Sequence, residues 1–132
     1  MTHLFPVRVY YEDTDLAGIV YYANYLKFIE RARSTLVMQA GIDQLSMQAD
    51  GLVFAVKKVE ADYISSAKLN DELQVATQLK QVTGARIVFL QEVLLADKVI
   101  FSALVTVVCI TTLGKITRFP ADIRAKLTEL SI

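Results

Sequence analysis

Residues 52–111 hold four long strand-forming runs with no helical pattern between them. The runs are 52–64, 72–83, 86–96 and 99–111, broken at 65–71, at Gly84 and at Asp97-Lys98. The last two breaks are short enough for hairpins. One more strand run, 4–11, precedes them, and a single long helix pattern, 23–40, lies between. In that helix Tyr25, Phe28, Ile29, Ala32, Leu36 and Ala40 recur at helical spacing, and Leu26 and Val37 widen the stripe. Asn24 reads as its N-cap and Gly41 as its stop. Residues 42–50 read as a connection of one or two helical turns, and Pro120 introduces a last helix, 121–130. The lack of repeated strand–helix alternation argues against a doubly wound parallel sheet. The order predicts an α+β fold: an antiparallel sheet curled around one long central helix. Such a sheet keeps two open edges, which invite pairing.

At 132 residues, 1–132 is read as a single domain. Hydrophobic residues make up 54% and charged residues 21%, a globular balance. Fourteen basic and fourteen acidic residues cancel, which argues against a nucleic-acid or anionic-membrane surface. Cys109, the single cysteine, sits in an apolar run and reads as a buried small hydrophobe. The chain is expected in a reducing, cytoplasmic setting. Met1–Pro6 lacks the basic start and apolar core of a signal peptide. The longest uncharged run, 99–114, is sixteen residues, short of the about 20 a spanning helix needs. Nine of those residues are Val, Ile or Thr, which favours a strand and predicts no membrane insertion.

The candidate chemistry lies between the first strand and the helix. Glu12-Asp13-Thr14-Asp15 is an acidic turn, Gly18 follows, and the helix starts soon after. This places the Asp15 carboxylate near a helix N-terminus, where unpaired N–H groups carry partial positive charge. A carboxylate beside such donors can attack a carbonyl, or activate water to do so, while the donors hold the carbonyl oxygen. The backbone N–H of Tyr22 is the expected oxyanion donor; one such donor contributes about 3–4 kcal/mol. Gly18 is expected to let the backbone approach a substrate. Tyr21 and Tyr25 read first as packing residues, with an acyl tunnel as their alternative use. No metal site is expected: the ligand spacings of zinc and calcium are missing, as are the loops that cradle nucleotide cofactors.

Tyr10-Tyr11-Glu12-Asp13-Thr14-Asp15, Gly18-Ile19-Val20-Tyr21-Tyr22, Asn24-Tyr25 and Glu30-Arg31-Ala32-Arg33 together resemble the 4-hydroxybenzoyl-CoA thioesterase branch of the hotdog-fold superfamily. Within it the chain is most similar to the Tol–Pal-associated, YbgC-like acyl-CoA thioesterases. A weaker echo runs from Asp62-Tyr63 through Ala67 to Asp71. The resemblance implies a hotdog fold, hydrolysis of an acyl-CoA to free acid and CoA, and a homodimer or homotetramer. It makes Asp15 the catalytic carboxylate, as nucleophile or as general base, and supports an orienting or substrate-contacting role for Tyr11. It also suggests association with an envelope complex. Coenzyme A enters only as part of the substrate, so no cofactor is expected.

Many YbgC-like thioesterases carry histidine where this chain has Tyr22, and its only histidine is His3, in the N-terminal tail. That favours an Asp-plus-backbone mechanism. A thiol leaving group of pKa about 8.5 departs as thiolate without a strong acid, so thioesters suit the site better than esters or amides. A hotdog hydratase would want a placed histidine. The other alternative is a non-catalytic acyl-CoA-binding or interaction domain. Lys57, Lys58, Arg86 and Arg118 are candidates for the CoA phosphates, and Glu30 for an ion pair with Lys27 or Arg33, with a second carboxylate facing the neighbouring subunit as its alternative.

Overall fold

The computed structural model describes residues 1–131; Ile132 lies outside the described residues. Strand β1 spans His3–Arg8, helix α1 Asn24–Gln39, helix α2 Gln44–Ala49, and strand β2 Leu52–Tyr63. Strands β3 Glu72–Val82, β4 Arg86–Leu95, β5 Lys98–Thr111 and β6 Ile116–Thr117 follow, and helix α3 Ala121–Leu130 comes last. The strands form one antiparallel sheet in the order β1-β3-β4-β5-β2, with β6 on β5. This is the expected α+β hotdog arrangement.

The sheet curves where the register slips, at Val56/Lys58, Leu79/Gln81 and Val93/Leu94. Against its concave side α1 buries Tyr25, Phe28, Ile29, Ala32, Leu36 and Val37. They meet Leu73, Val75, Phe89, Val93, Phe101 and Val105 in one core. Full burial of each such aliphatic or aromatic side chain is worth about 1.5–3 kcal/mol, so this stripe outweighs helix propensity in fixing α1. Leu26 faces outward, 39% exposed, and does not widen the stripe as expected.

Several boundaries differ from the sequence expectation. β1 stops at Arg8 because Tyr11–Asp13 curls into a 3-10 turn, closed by Asp13 N–H on the Tyr10 carbonyl at 3.0 Å. The 42–50 connection is helical over α2, whose first turn Asp43 caps: its Oδ1 accepts from Leu45 and Ser46 N–H and its Oδ2 from Ser46 Oγ. Those bonds hold the Asp43 carboxyl below the usual carboxylate range, the Ser46 hydroxyl first among them. Asn24 is not a cap; it is the first residue of α1, and its side chain turns back into the preceding loop. β2 is the open edge beside β5, and every residue from Val56 to Tyr63 is exposed.

Candidate active site

The segment from Tyr10 to Ala23 is a succession of hydrogen-bonded turns. Asp13 is buried, and its Oδ2 accepts the Tyr10 N–H at 2.8 Å. Its carbonyl accepts the Tyr21 N–H at 2.9 Å and Asn24 Nδ2 at 3.0 Å. Asp13 thus holds the loop and α1 together. Beyond it a small hairpin closes: Thr14 bridges Val20, Asp15 N–H donates to the Ile19 carbonyl, and Gly18 N–H donates to the Asp15 carbonyl, both at 3.0 Å. The tip turns at Gly18, whose φ of +81° is the left-handed region that favours glycine.

Asp15 stands exposed at this tip, and its Oδ1 accepts the Ala17 N–H at 2.9 Å. The hairpin is pinned from the other side by the second resembling block. Val20 N–H donates to the Ala67 carbonyl at 2.8 Å, and Ile19 bridges Lys68.

At the start of α1, Asn24 N–H donates to the Tyr21 carbonyl at 2.8 Å. In a planar trans peptide the N–H points opposite to the carbonyl. Tyr22 N–H therefore points away from the helix, past its N-terminus. Among the described residues neither Tyr22 nor Ala23 N–H donates a hydrogen bond. Two free donors at the positive end of a sixteen-residue helix make an anion-stabilising position.

An aromatic cluster sits behind this turn. Tyr25 stacks on Phe101 with ring centroids 5.0 Å apart, and Tyr63 meets Phe101 edge-on at 5.0 Å and Tyr25 at 5.8 Å. The Tyr25 hydroxyl accepts the Ala67 N–H at 3.2 Å. Burial pushes the Tyr25 phenol above its ordinary value; the Ala67 bond opposes the rise and the Asp71 carboxylate adds to it.

The expected site residues fall into two groups. Asp15, Gly18, Tyr21 and Tyr22 lie on the loop and helix entrance, all exposed. Tyr25 turns inward and packs in the core. Tyr11 is 84% exposed and makes no side-chain bond to Asp15, so the orienting role expected of it has no direct contact behind it. His3 lies away from the loop, with Nε2 3.0 Å from Gln39 Oε1. Among the described residues Glu30 makes no ion pair with Lys27 or Arg33; the pair present is Lys58–Glu60 at 3.0 Å. Glu30 instead shares with Arg33, Ser34, Phe54, Val56 and Phe89 a cavity of about 240 Å³ between α1 and the sheet. Arg118 lies across Gly84, on the hairpin that Arg86 closes. Asn24 and Tyr63 are the contributors that sequence reasoning did not assign to the site. Both stand inside the resembling blocks, the only signal the sequence carried for them.

A long central helix wrapped by a curved antiparallel sheet, with a carboxylate turn ahead of the helix, is the hotdog arrangement. The family model of the thioesterase-like superfamily matches residues 9–127. The chain is 41% identical over 129 residues to the acyl-CoA thioesterase YbgC of Haemophilus influenzae, covering 96% of this chain and 94% of that one. It is 38% identical over 109 residues to the acyl-CoA thioester hydrolase YbgC of Escherichia coli O6:H1, covering 82% and 81%. A solved structure, a probable thioesterase from Bartonella henselae, superposes with a TM-score of 0.85 at 33% identity, covering 91% of this chain and all of that one. The chain belongs to the thioesterase-like superfamily, among its YbgC-like members.

Proposed function

We infer that this protein is an acyl-CoA thioesterase, hydrolysing an acyl-CoA to the free acid and CoA. Its main support is the exposed Asp15 carboxylate on the hydrogen-bonded loop that leads into α1, together with two unbonded amides at the start of that helix. The thioester oxygen sits on the Tyr22 N–H, where negative charge develops during attack. Asp15 either attacks the carbonyl carbon, giving an anhydride that water opens, or takes a proton from the attacking water. In both cases the C–S bond breaks and the electrons leave on sulfur. The CoA thiolate then takes up a proton. Tyr11 is a substrate-side candidate by resemblance, and Tyr21 and Tyr25 are candidates to line an acyl tunnel; of these Tyr21 is exposed at the helix entrance and Tyr11 on the loop.

A homodimer formed along β2 fits this reading. The strand offers twelve residues of unpaired edge, with Val56, Val59 and Tyr63 each more than a third exposed. Antiparallel pairing brings opposite ends of β2 together. The 240 Å³ cavity beside Phe54 and Val56 in one copy then faces the Tyr63 end, and so the site turn, of the other. That gives the acyl group apolar room near a carboxylate. Among the described residues no helix is long and apolar enough to cross a membrane, and a cytoplasmic enzyme with a carried, not resident, CoA is the matching setting.

The test is thiol release from short, long and aromatic acyl-CoAs by the parent protein and by Asp15→Asn. Turnover lost in the mutant with binding retained supports the enzyme. Binding without turnover in the parent supports an acyl-CoA-binding module instead.

A further inference from the structure

We propose that Tyr63 is a positioning residue for this reaction: its hydroxyl fixes the peptide that aims the helix-start amides. The proposal rests on the thioesterase reading above and assigns a group at the same site. The Tyr63 hydroxyl donates to the Tyr22 carbonyl at 3.0 Å, from strand β2 to the entrance of α1. Tyr22 precedes the N-cap Ala23, so its carbonyl lies outside the backbone ladder of α1. Leu26 N–H goes to the Ala23 carbonyl at 3.2 Å, and among the described residues the Tyr22 carbonyl takes no backbone donor. The peptide that leads into α1 is therefore held by a side chain of the sheet edge, while the helix closes its own first turn.

The consequence is directional. The Tyr22 carbonyl and the Ala23 N–H belong to one planar peptide and point opposite ways. Holding the carbonyl on Tyr63 turns the Ala23 N–H away from β2. The same bond restrains Tyr22, whose own N–H projects past the helix end. Free amides stabilise a developing oxyanion only where their direction is set before the charge appears. Without the Tyr63 bond the peptide keeps its trans form but is free to rock about its flanking dihedrals.

The ring is held as well as the hydroxyl. Tyr63 lies 5.0 Å from Phe101, 5.8 Å from Tyr25 and 6.0 Å from Tyr22, centroid to centroid. Burial of the phenol is the largest cause keeping its pKa above the ordinary tyrosine value, so it stays a donor through neutral pH. Phenylalanine would keep these ring contacts and remove only the donor.

The experiment compares parent and Tyr63→Phe in steady-state thioester hydrolysis, with NMR order parameters of the Tyr22 and Ala23 amides measured in the ligand-free proteins. The expected result is a kcat lower by about threefold to tenfold, the effect of one lost neutral hydrogen bond. KM should stay within about twofold, and the order parameters at Tyr22 and Ala23 should fall. A parent-like kcat with parent-like order parameters overturns the proposal while leaving the thioesterase reading in place. A raised KM at unchanged kcat also overturns it, since Tyr63 would then be a substrate contact. A parent that turns over no thioester sinks the thioesterase reading, and this proposal with it.

Discussion

Arg33 Nη1 donates to Gln91 Oε1 at 3.0 Å, joining the surface of α1 to the centre of the sheet. Gln91 is fully buried, and its Nε2 donates to the Ile29 carbonyl at 2.8 Å and to Thr77 Oγ1 at 3.0 Å. Burial lowers the Arg33 pKa, with nearby Glu30 opposing the shift. The guanidinium thus depends on a neutral amide for its inward contact. Gln91→Leu removes that acceptor and both donors while keeping most of the volume. Stability should fall by about 2–3 kcal/mol, read as a lower urea midpoint at unchanged slope. A loss below about 0.5 kcal/mol would show that the network is not what clamps α1 to β4.

Tyr25→Phe separates packing from hydrogen bonding in the aromatic cluster. The ring contacts survive, but the buried Ala67 N–H loses its acceptor. The expected cost is about 1–2 kcal/mol. Since Ala67 also receives the Val20 N–H, the Asp15 hairpin should loosen with it. Faster exchange at Val20 is the readout; parent-like exchange there would disconnect Ala67 from the hairpin.

Gly18 tests whether the tip of that hairpin needs its backbone conformation or merely space. A Cβ at Gly18 meets nothing within 4 Å, so the obstacle is the φ of +81° alone. Asparagine enters this region readily, whereas a β-branched residue does not. Gly18→Asn should keep most of the thioesterase rate, and Gly18→Val should lose much more of it. Equal losses would point to a substrate that cannot pass any side chain.

Asp43 gives a pH-dependent prediction at the start of α2. Its folded pKa lies below the unfolded value, so its stabilisation is present above about pH 4 and fades as pH falls through the folded pKa. Asp43→Ala should be less stable than the parent at pH 7, and the gap should narrow in acid. A gap that stays constant from pH 7 to pH 2.5 would rule out the carboxylate as its source.

The elements were legible where the pattern was long and regular. The four strand runs from Leu52 to Thr111 and the helices α1 and α3 lie within a residue or two of their expected bounds. Asn24 was misread as a cap because Asn before an apolar stripe is a common start signal. The signal is local, but the Asp13 carbonyl that occupies its side chain is eleven residues away. Leu26 satisfied helical spacing yet faces outward, since spacing alone does not say how wide a stripe the sheet covers.

Some properties needed no structure. Four successive strand runs with no helix between them, the acidic turn before a long helix and the single buried-type cysteine follow from residue type and spacing, which act over a few neighbours. The Tyr63 bond to the Tyr22 carbonyl, the Ala67 bond to Tyr25 and the Gln91 clamp on Arg33 were decided by tertiary structure alone. They join residues 41 to 58 positions apart. A hydrogen bond depends on distance and angle in space, and the curvature of the sheet around α1 is what brings those groups within reach.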